Sequence, residues 1–353
     1  MLAAVQSTEV AQEHEHHRSL CPFGAEAATR PGVVGQGEVA ERSQIHVRHT
    51  THVTVPPAPT GRASSDVVPG RADEAAGESR AANAGRRLAF VTGASRGIGK
   101  QIAIALAANG HDVVITARTV NEGDHIDERS GLALPGSLAT TADACEHHGA
   151  AVMPLPMDLL DDASVDNACR LTLELWGPPD VIVNNAIYQG EGTASRFLDT
   201  PMDALEKTFH GNVLAQYRII KRFVPAMIDN GGGAIVNVVS AAGMIDPPAP
   251  VGEGGWSLAY GTSKGALCRA TGTLALELGP VGVRVFGLEP GLVYTERMLA
   301  VHGEEFRAAA GGTGTTPDVI GRLCAWLVSD PAAAHFVGKN VHAQPLAAKL
   351  EMI

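Results

Sequence analysis

Between Ser240 and Lys264 the chain places a hydroxyl, a phenol and an ammonium in an order that suits proton transfer. Tyr260 and Lys264 are four residues apart, which on a helix puts them on one face, one turn apart. A lysine beside a tyrosine favours the phenolate, so the phenol becomes a better proton donor and acceptor near neutral pH. Ser240 ends the apolar run Ala234 to Val239, which reads as a buried strand. Its hydroxyl could hold a carbonyl oxygen against that phenol.

A second stretch has a different chemistry. Thr92, Gly93, Ala94, Ser95, Arg96, Gly97, Ile98 and Gly99 join an apolar strand to an amphipathic helix. Glycines there allow a tight turn and close approach of backbone to a pyrophosphate, and the helix N-terminus supplies N–H donors. The next strand ends Thr116-Ala117-Arg118, with no acid before Glu122. A carboxylate at that point would bind the ribose 2′-hydroxyl of NAD, whereas arginines suit the 2′-phosphate of NADP. Arg118 and Arg96 therefore point to NADP, with NAD the less favoured cofactor.

The elements that position these residues alternate. Strands are expected at 88–92, 111–118, 150–156, 179–186, 234–240, 283–291 and 340–343, with helices between them and a long helical tract over 201–230. This pattern specifies an α/β fold: a single Rossmann-like, doubly wound parallel sheet with helices on both faces. Residues 1–86 lack a sustained apolar period and read as a disordered N-terminal extension, leaving 87–353 as one nucleotide-binding domain.

Composition narrows the function. The 353 residues are 45% apolar and carry a net charge of −11 without a long basic stretch, which argues against a nucleic-acid partner. No apolar run is long enough to span a membrane. The five scattered cysteines show no metal-ligand spacing and suit reduced thiols in the cytoplasm. No metal site is expected.

Taken together, the TGASRGIG turn, Asp158-Leu159, the Asn-Asn-Ala at 184–186, Asn212 in Gly-Asn-Val, Ser240, the YGTSK at 260–264 and Pro290-Gly291 with Thr295 resemble the classical short-chain dehydrogenase/reductase family. The resemblance implies an oxidoreductase of the 3-oxoacyl-reductase or hydroxysteroid-dehydrogenase kind, acting on a small-molecule carbonyl or secondary alcohol. It implies Tyr260 as general acid and base, Lys264 as its acidifier and ribose ligand, Ser240 as holder of the substrate oxygen, and Asn212 as the group that positions a relay water. Asp158 and Leu159 would border the adenine, Asn184, Asn185 and Ala186 the adenosine, and Pro290, Gly291, Val293 and Thr295 the nicotinamide end. It also implies a homodimer or homotetramer, paired through the helix of Tyr260, whose Gly265, Ala266, Ala270, Gly272 and Ala275 would permit close approach.

The chain departs from the family pattern at several points. Ile187 stands where a glycine is usual, Phe286 where an asparagine is common, and Gln344-Pro345-Leu346 where an acid and two glycines are. Two insertions are larger: Thr119 to Pro135, and the 241–259 interval, in which Trp256 and Glu253 are candidate substrate contacts. Two other functions are compatible with the fold. An epimerase or dehydratase usually carries a Gly-x-x-Gly-x-x-Gly turn, absent here, and a nucleotide-sensing regulator without enzymatic activity typically lacks the Tyr or Lys.

Overall fold

Strand β1, Arg87–Thr92, is buried at five of its six positions, which only a central strand covered on both faces permits. In the computed structural model of the chain, residues 85–124, 126, 131, 133–303, 307 and 313–353 are described. The expected disordered extension therefore lies, up to residue 84, outside the described residues. Arg86, expected just outside the fold, already belongs to it: its guanidinium donates to Asp112, to Ala107 O and to His111 O.

After β1 come α1 (Gly97–Ala108), β2 (His111–Ala117), α2 (Leu138–Glu146), β3 (Val152–Pro156), α3 (Asp162–Leu175) and β4 (Val181–Asn184). The second half adds α4 (Met202–Phe209), α5 (Ala215–Asp229), β5 (Gly233–Val238), α6 (Leu258–Leu278), β6 (Val283–Glu289), α7 (Glu296–His302), α8 (Pro317–Ser329), β7 (Asn340–His342) and α9 (Ala343–Lys349). The strands form one parallel seven-stranded sheet in the order β3-β2-β1-β4-β5-β6-β7. The chain reverses direction across the sheet between β1 and β4, so a crevice opens at their carboxyl ends. Two short helices, α7 and α9, were not anticipated from the sequence.

Each face of the sheet has its own apolar core. One gathers Ile102, Leu106, Val113, Leu138, Ile320 and Leu323, under α1, α2 and α8. There α8 lies so close to α1 that a Cβ on Gly321 would meet Gln101 O at 2.4 Å. The other gathers Phe90, Val165, Ile219 and Phe223, under α3 and α5. Phe90 and Phe223 meet edge to face, with centroids 4.8 Å apart.

Helices α4 and α5 are one tract, interrupted at His210–Leu214 by a π turn. Such a turn adds a residue and leaves a carbonyl without its regular helical donor. Gln216 compensates through its side chain, whose Nε2 donates to Gly211 O at 3.4 Å and to Ala186 O at 2.9 Å.

His111 begins β2 fully buried, with its Nδ1 against Leu106 O at 3.2 Å. Burial, reinforced by Arg87, lowers its pKa to about 4. The folded pKa lies below the unfolded value of about 6.5, so the histidine's contribution is intact above pH 6.5 and is lost as pH falls toward 4. The full loss is about 3 kcal/mol at roughly 1.4 kcal/mol per pKa unit. Urea unfolding at pH 7 and pH 4 should show His111→Asn reducing the acid sensitivity by about that amount. An unchanged pH dependence would contradict the burial argument.

Candidate active site

The floor of the crevice is the junction of β1 and β4. Thr92 Oγ1 donates to Val183 O at 3.1 Å and accepts the amides of Asn185 and Ala186 at 3.0 Å each. Asn185 Nδ2 returns two bonds, to Thr92 O at 2.9 Å and Gly93 O at 3.2 Å. Gly93 has φ +67°, and a Cβ there would lie 2.8 Å from Ala186 Cα. Gly99 is tighter still: its Cβ would meet Gly93 O at 2.2 Å and Asn185 Nδ2 at 2.4 Å. The turn is thus folded onto β4, with the N-terminal turn of α1 facing the crevice, and the cradle fits a dinucleotide's pyrophosphate. Asn184, grouped with its neighbours in the sequence, goes elsewhere. Strand alternation buries it in the sheet, where its Nδ2 donates to Asn237 Oδ1 at 2.9 Å.

The end of β2 carries Arg118, and the glycine turn carries Arg96. Arg118 is exposed there. Arg96 instead clasps the insertion that follows β2, donating to Pro135 O at 3.0 Å, Gly136 O at 2.7 Å and Thr119 Oγ1 at 3.3 Å. Glu122 holds the same segment through Gly136 N at 2.9 Å and Thr140 Oγ1 at 3.2 Å. After β3, Asp158 makes a tight local turn by accepting Leu160 N at 2.9 Å, and Leu159 is buried.

Across the crevice, β5 and α6 bring Ser240, Tyr260 and Lys264 together. Ser240 Oγ accepts Ala242 N at 3.2 Å, and its hydroxyl lies on the Tyr260 phenol's side, where it draws the phenol's pKa down. Lys264 is buried, its Nζ donating to Val238 O at 2.6 Å, and burial brings its pKa down to about 8. Burial also holds the Tyr260 phenol above its usual range; the Ser240 hydroxyl opposes this and the Glu289 carboxylate adds to it. In this geometry the Lys264 ammonium is turned to the strand carbonyl. Asn212 lies in the π turn, fully buried, with Oδ1 accepting Tyr188 N at 2.6 Å and Nδ2 donating to Ser263 Oγ at 3.2 Å. Ser263 Oγ donates in turn to Tyr260 O at 2.9 Å, tying the π turn to the first turn of α6.

The last wall is the segment after β6. Gln344, at the start of α9, donates to Pro290 O at 3.1 Å and Leu292 O at 2.9 Å and so braces the Pro290-Gly291 turn. Val293 is buried beside it, and Thr295 caps α7 by accepting Met298 N at 3.3 Å. Glu289 accepts Gly291 N at 2.8 Å and pairs with His342 at 3.1 Å. The 241–259 interval joins Ser240 to α6, and its Ser257 Oγ donates to Thr193 O at 2.5 Å. Trp256 lies against Gly261, 3.1 Å from where a Cβ would stand, while Glu253 is exposed and pairs with Arg196. Of these residues, Gln344, Glu289, Gln216 and Tyr188 were not foreseen. Their one sequence signal is a polar type at the edge of an apolar element, which many surface residues share.

The family model described as short chain dehydrogenase matches residues 87–305. An uncharacterized NAD-dependent oxidoreductase of Mycobacterium tuberculosis is 33% identical, over 70% of this chain and 91% of its own length. A 3-oxoacyl-[acyl-carrier-protein] reductase of Synechocystis is 29% identical, over 72% and 94%. Among solved structures, a 7α-hydroxysteroid dehydrogenase complexed with NADH and 7-oxo glycochenodeoxycholic acid superposes with a TM-score of 0.59 at 25% identity, covering 72% of this chain and 91% of that one.

The close contact at Gly99 can be tested directly. Gly99→Ala should lose about 1–3 kcal/mol, since overpacking of this size forces backbone apart, and should lose dinucleotide binding as well. An unaltered melting temperature with full binding would show that the turn does not need the missing Cβ.

Proposed function

The chain belongs to the short-chain dehydrogenase family, oxidoreductases that act on an alcohol or ketone with NAD(P), and on that footing we propose hydride transfer between NADPH and a carbonyl or secondary alcohol, with Tyr260 as acid and base. The observation that carries this reading is the hydroxyl pair Ser240–Tyr260 with the Lys264 ammonium buried behind it. Gly93, Ser95, Ile98 and Gly99 would cradle the pyrophosphate, Asp158 and Ala186 would border the adenosine, and Val293 and Thr295 the nicotinamide. When bound, the nicotinamide supplies or takes the hydride. The protein manages one proton. In reduction, Ser240 Oγ and Tyr260 Oη hold the substrate oxygen, and the phenol gives it a proton as negative charge develops there. The phenolate left behind is stabilised by Lys264, which has only to turn its Nζ from Val238 O. Asn212, whose side chain is engaged on both ends, fixes the π turn and the start of α6, and any relay water would rest on backbone carbonyls of that turn.

NADP is the cofactor we propose, through Arg118 alone, with Arg96 committed to the insertion. NAD is the second reading. It is favoured by Glu122, a carboxylate folded back to Gly136 beside Arg96, as it could face a ribose 2′-hydroxyl. The substrate class is that of relatives named for 3-oxoacyl and hydroxysteroid chemistry, with Trp256 a candidate contact. The four described cysteines are free and buried, which suits a reducing cytoplasm. We place a second copy against α6, through exposed Leu258 and Leu276. The small residues of that helix face its own chain, Gly265 towards Gly243 and Gly272 towards Gly338.

Two measurements test this function. Tyr260→Phe should keep NADPH binding and lose nearly all turnover, since only the proton donor is removed; retained turnover would exclude the assignment. Arg118→Ala should weaken NADPH by about ten- to a hundredfold and leave NADH nearly unchanged, each charged hydrogen bond being worth roughly 1.5–3 kcal/mol. A wild-type preference for NADH in kcat/KM would favour the Glu122 reading.

A further inference from the structure

The glycine turn is already in contact with a negative charge. Glu296, the first residue of α7, accepts the backbone N–H of Gly97 at 2.9 Å, across 199 positions of sequence. Its neighbour Thr295 lies on the same spot, with Cγ2 3.3 Å from where a Cβ on Gly97 would stand. Gly97 opens α1, a helix of 12 residues, so the carboxylate sits at that helix's positive end. From the next position in α7, Arg297 reaches across to the Gln189 side chain on the segment after β4. The first turn of the short helix is thereby held both to the proposed cofactor cradle and to the segment after β4.

We propose that Glu296 is a resident anion on the pyrophosphate cradle, which the cofactor's diphosphate must displace. This rests on the reading of the glycine turn as the cofactor site. The argument is electrostatic and steric. A diphosphate seated on the first turn of α1 brings negative charge within a few ångströms of the carboxylate, in a crevice where screening by water is weak. Both anions compete for the same donor end of α1, so the carboxylate leaves. Glu296 therefore sets cofactor affinity, and its departure from Gly97 releases the first turn of α7 from the cradle.

Isothermal titration of the full chain with NADPH, NADH and ADP-ribose tests the inference. ADP-ribose carries the diphosphate without the nicotinamide, so its affinity reports on the cradle apart from turnover. E296Q keeps the shape and removes the charge; E296A removes both. All three ligands should bind both variants about tenfold more tightly than wild type, the size expected for removing a carboxylate that competes with the diphosphate for the helix N-terminus. Hydrogen exchange in Glu296–His302 should rise when ADP-ribose is added to wild type and change little in E296Q. Equal or weaker ADP-ribose binding by both variants, while wild type binds it, overturns the displacement and leaves the cofactor site standing. No ADP-ribose binding by wild type overturns the cofactor site and the displacement with it.

Discussion

The close seating of the glycine turn on the end of β4 is the constraint on which the rest depends. Asn185 can bond to Thr92 O and Gly93 O only because Gly99 leaves no Cβ between them. Those bonds fix where α1 starts, and the start of α1 fixes where an anion is favoured. The same bonds hold β4 beside β1, and so decide where the sheet reverses direction. A larger residue at this one point would displace strand, turn and helix together.

The opposite wall is governed by desolvation. Lys264 and Tyr260 are both drawn toward their neutral forms by burial, and each is partly compensated, one by Val238 O and the other by Ser240. A pair in this condition is sensitive to small changes of local charge. Glu289, which lifts the phenol further, is itself held by Gly291 N and His342, so the backbone turn that borders the nicotinamide side also sets the charge that the phenol feels.

The sheet, its helices and the positions of Ser240, Tyr260 and Lys264 were legible in the sequence because they obey periods of two and of 3.6 residues. The sides taken by Asn184 and Asn185 follow from the same strand alternation. What was not legible depends on contacts between distant parts of the chain. Arg96 reads as a phosphate ligand until the Thr119 to Pro135 insertion folds back and offers it carbonyls. Glu296 stands in a stretch where no helix is expected, and nothing in its neighbours announces Gly97. Nor does the sequence announce that Gly265 and Gly272 of α6 approach Gly243 and Gly338 of the same chain. The direction of the Lys264 side chain was equally hidden, since spacing fixes a helix face but not a rotamer.

The all-parallel sheet has a consequence for how the molecule comes into being. No strand of this sheet pairs with its neighbour through a tight hairpin among the described residues, and the bond from Thr92 to Val183 O closes a loop of 91 residues. Closing such a loop costs chain entropy before any contact inside the crevice repays it, and folds dominated by non-local pairing are slow to nucleate. The crevice floor therefore forms in the same cooperative event as the two cores, and no early fragment holding β1 and α1 alone carries a finished cradle.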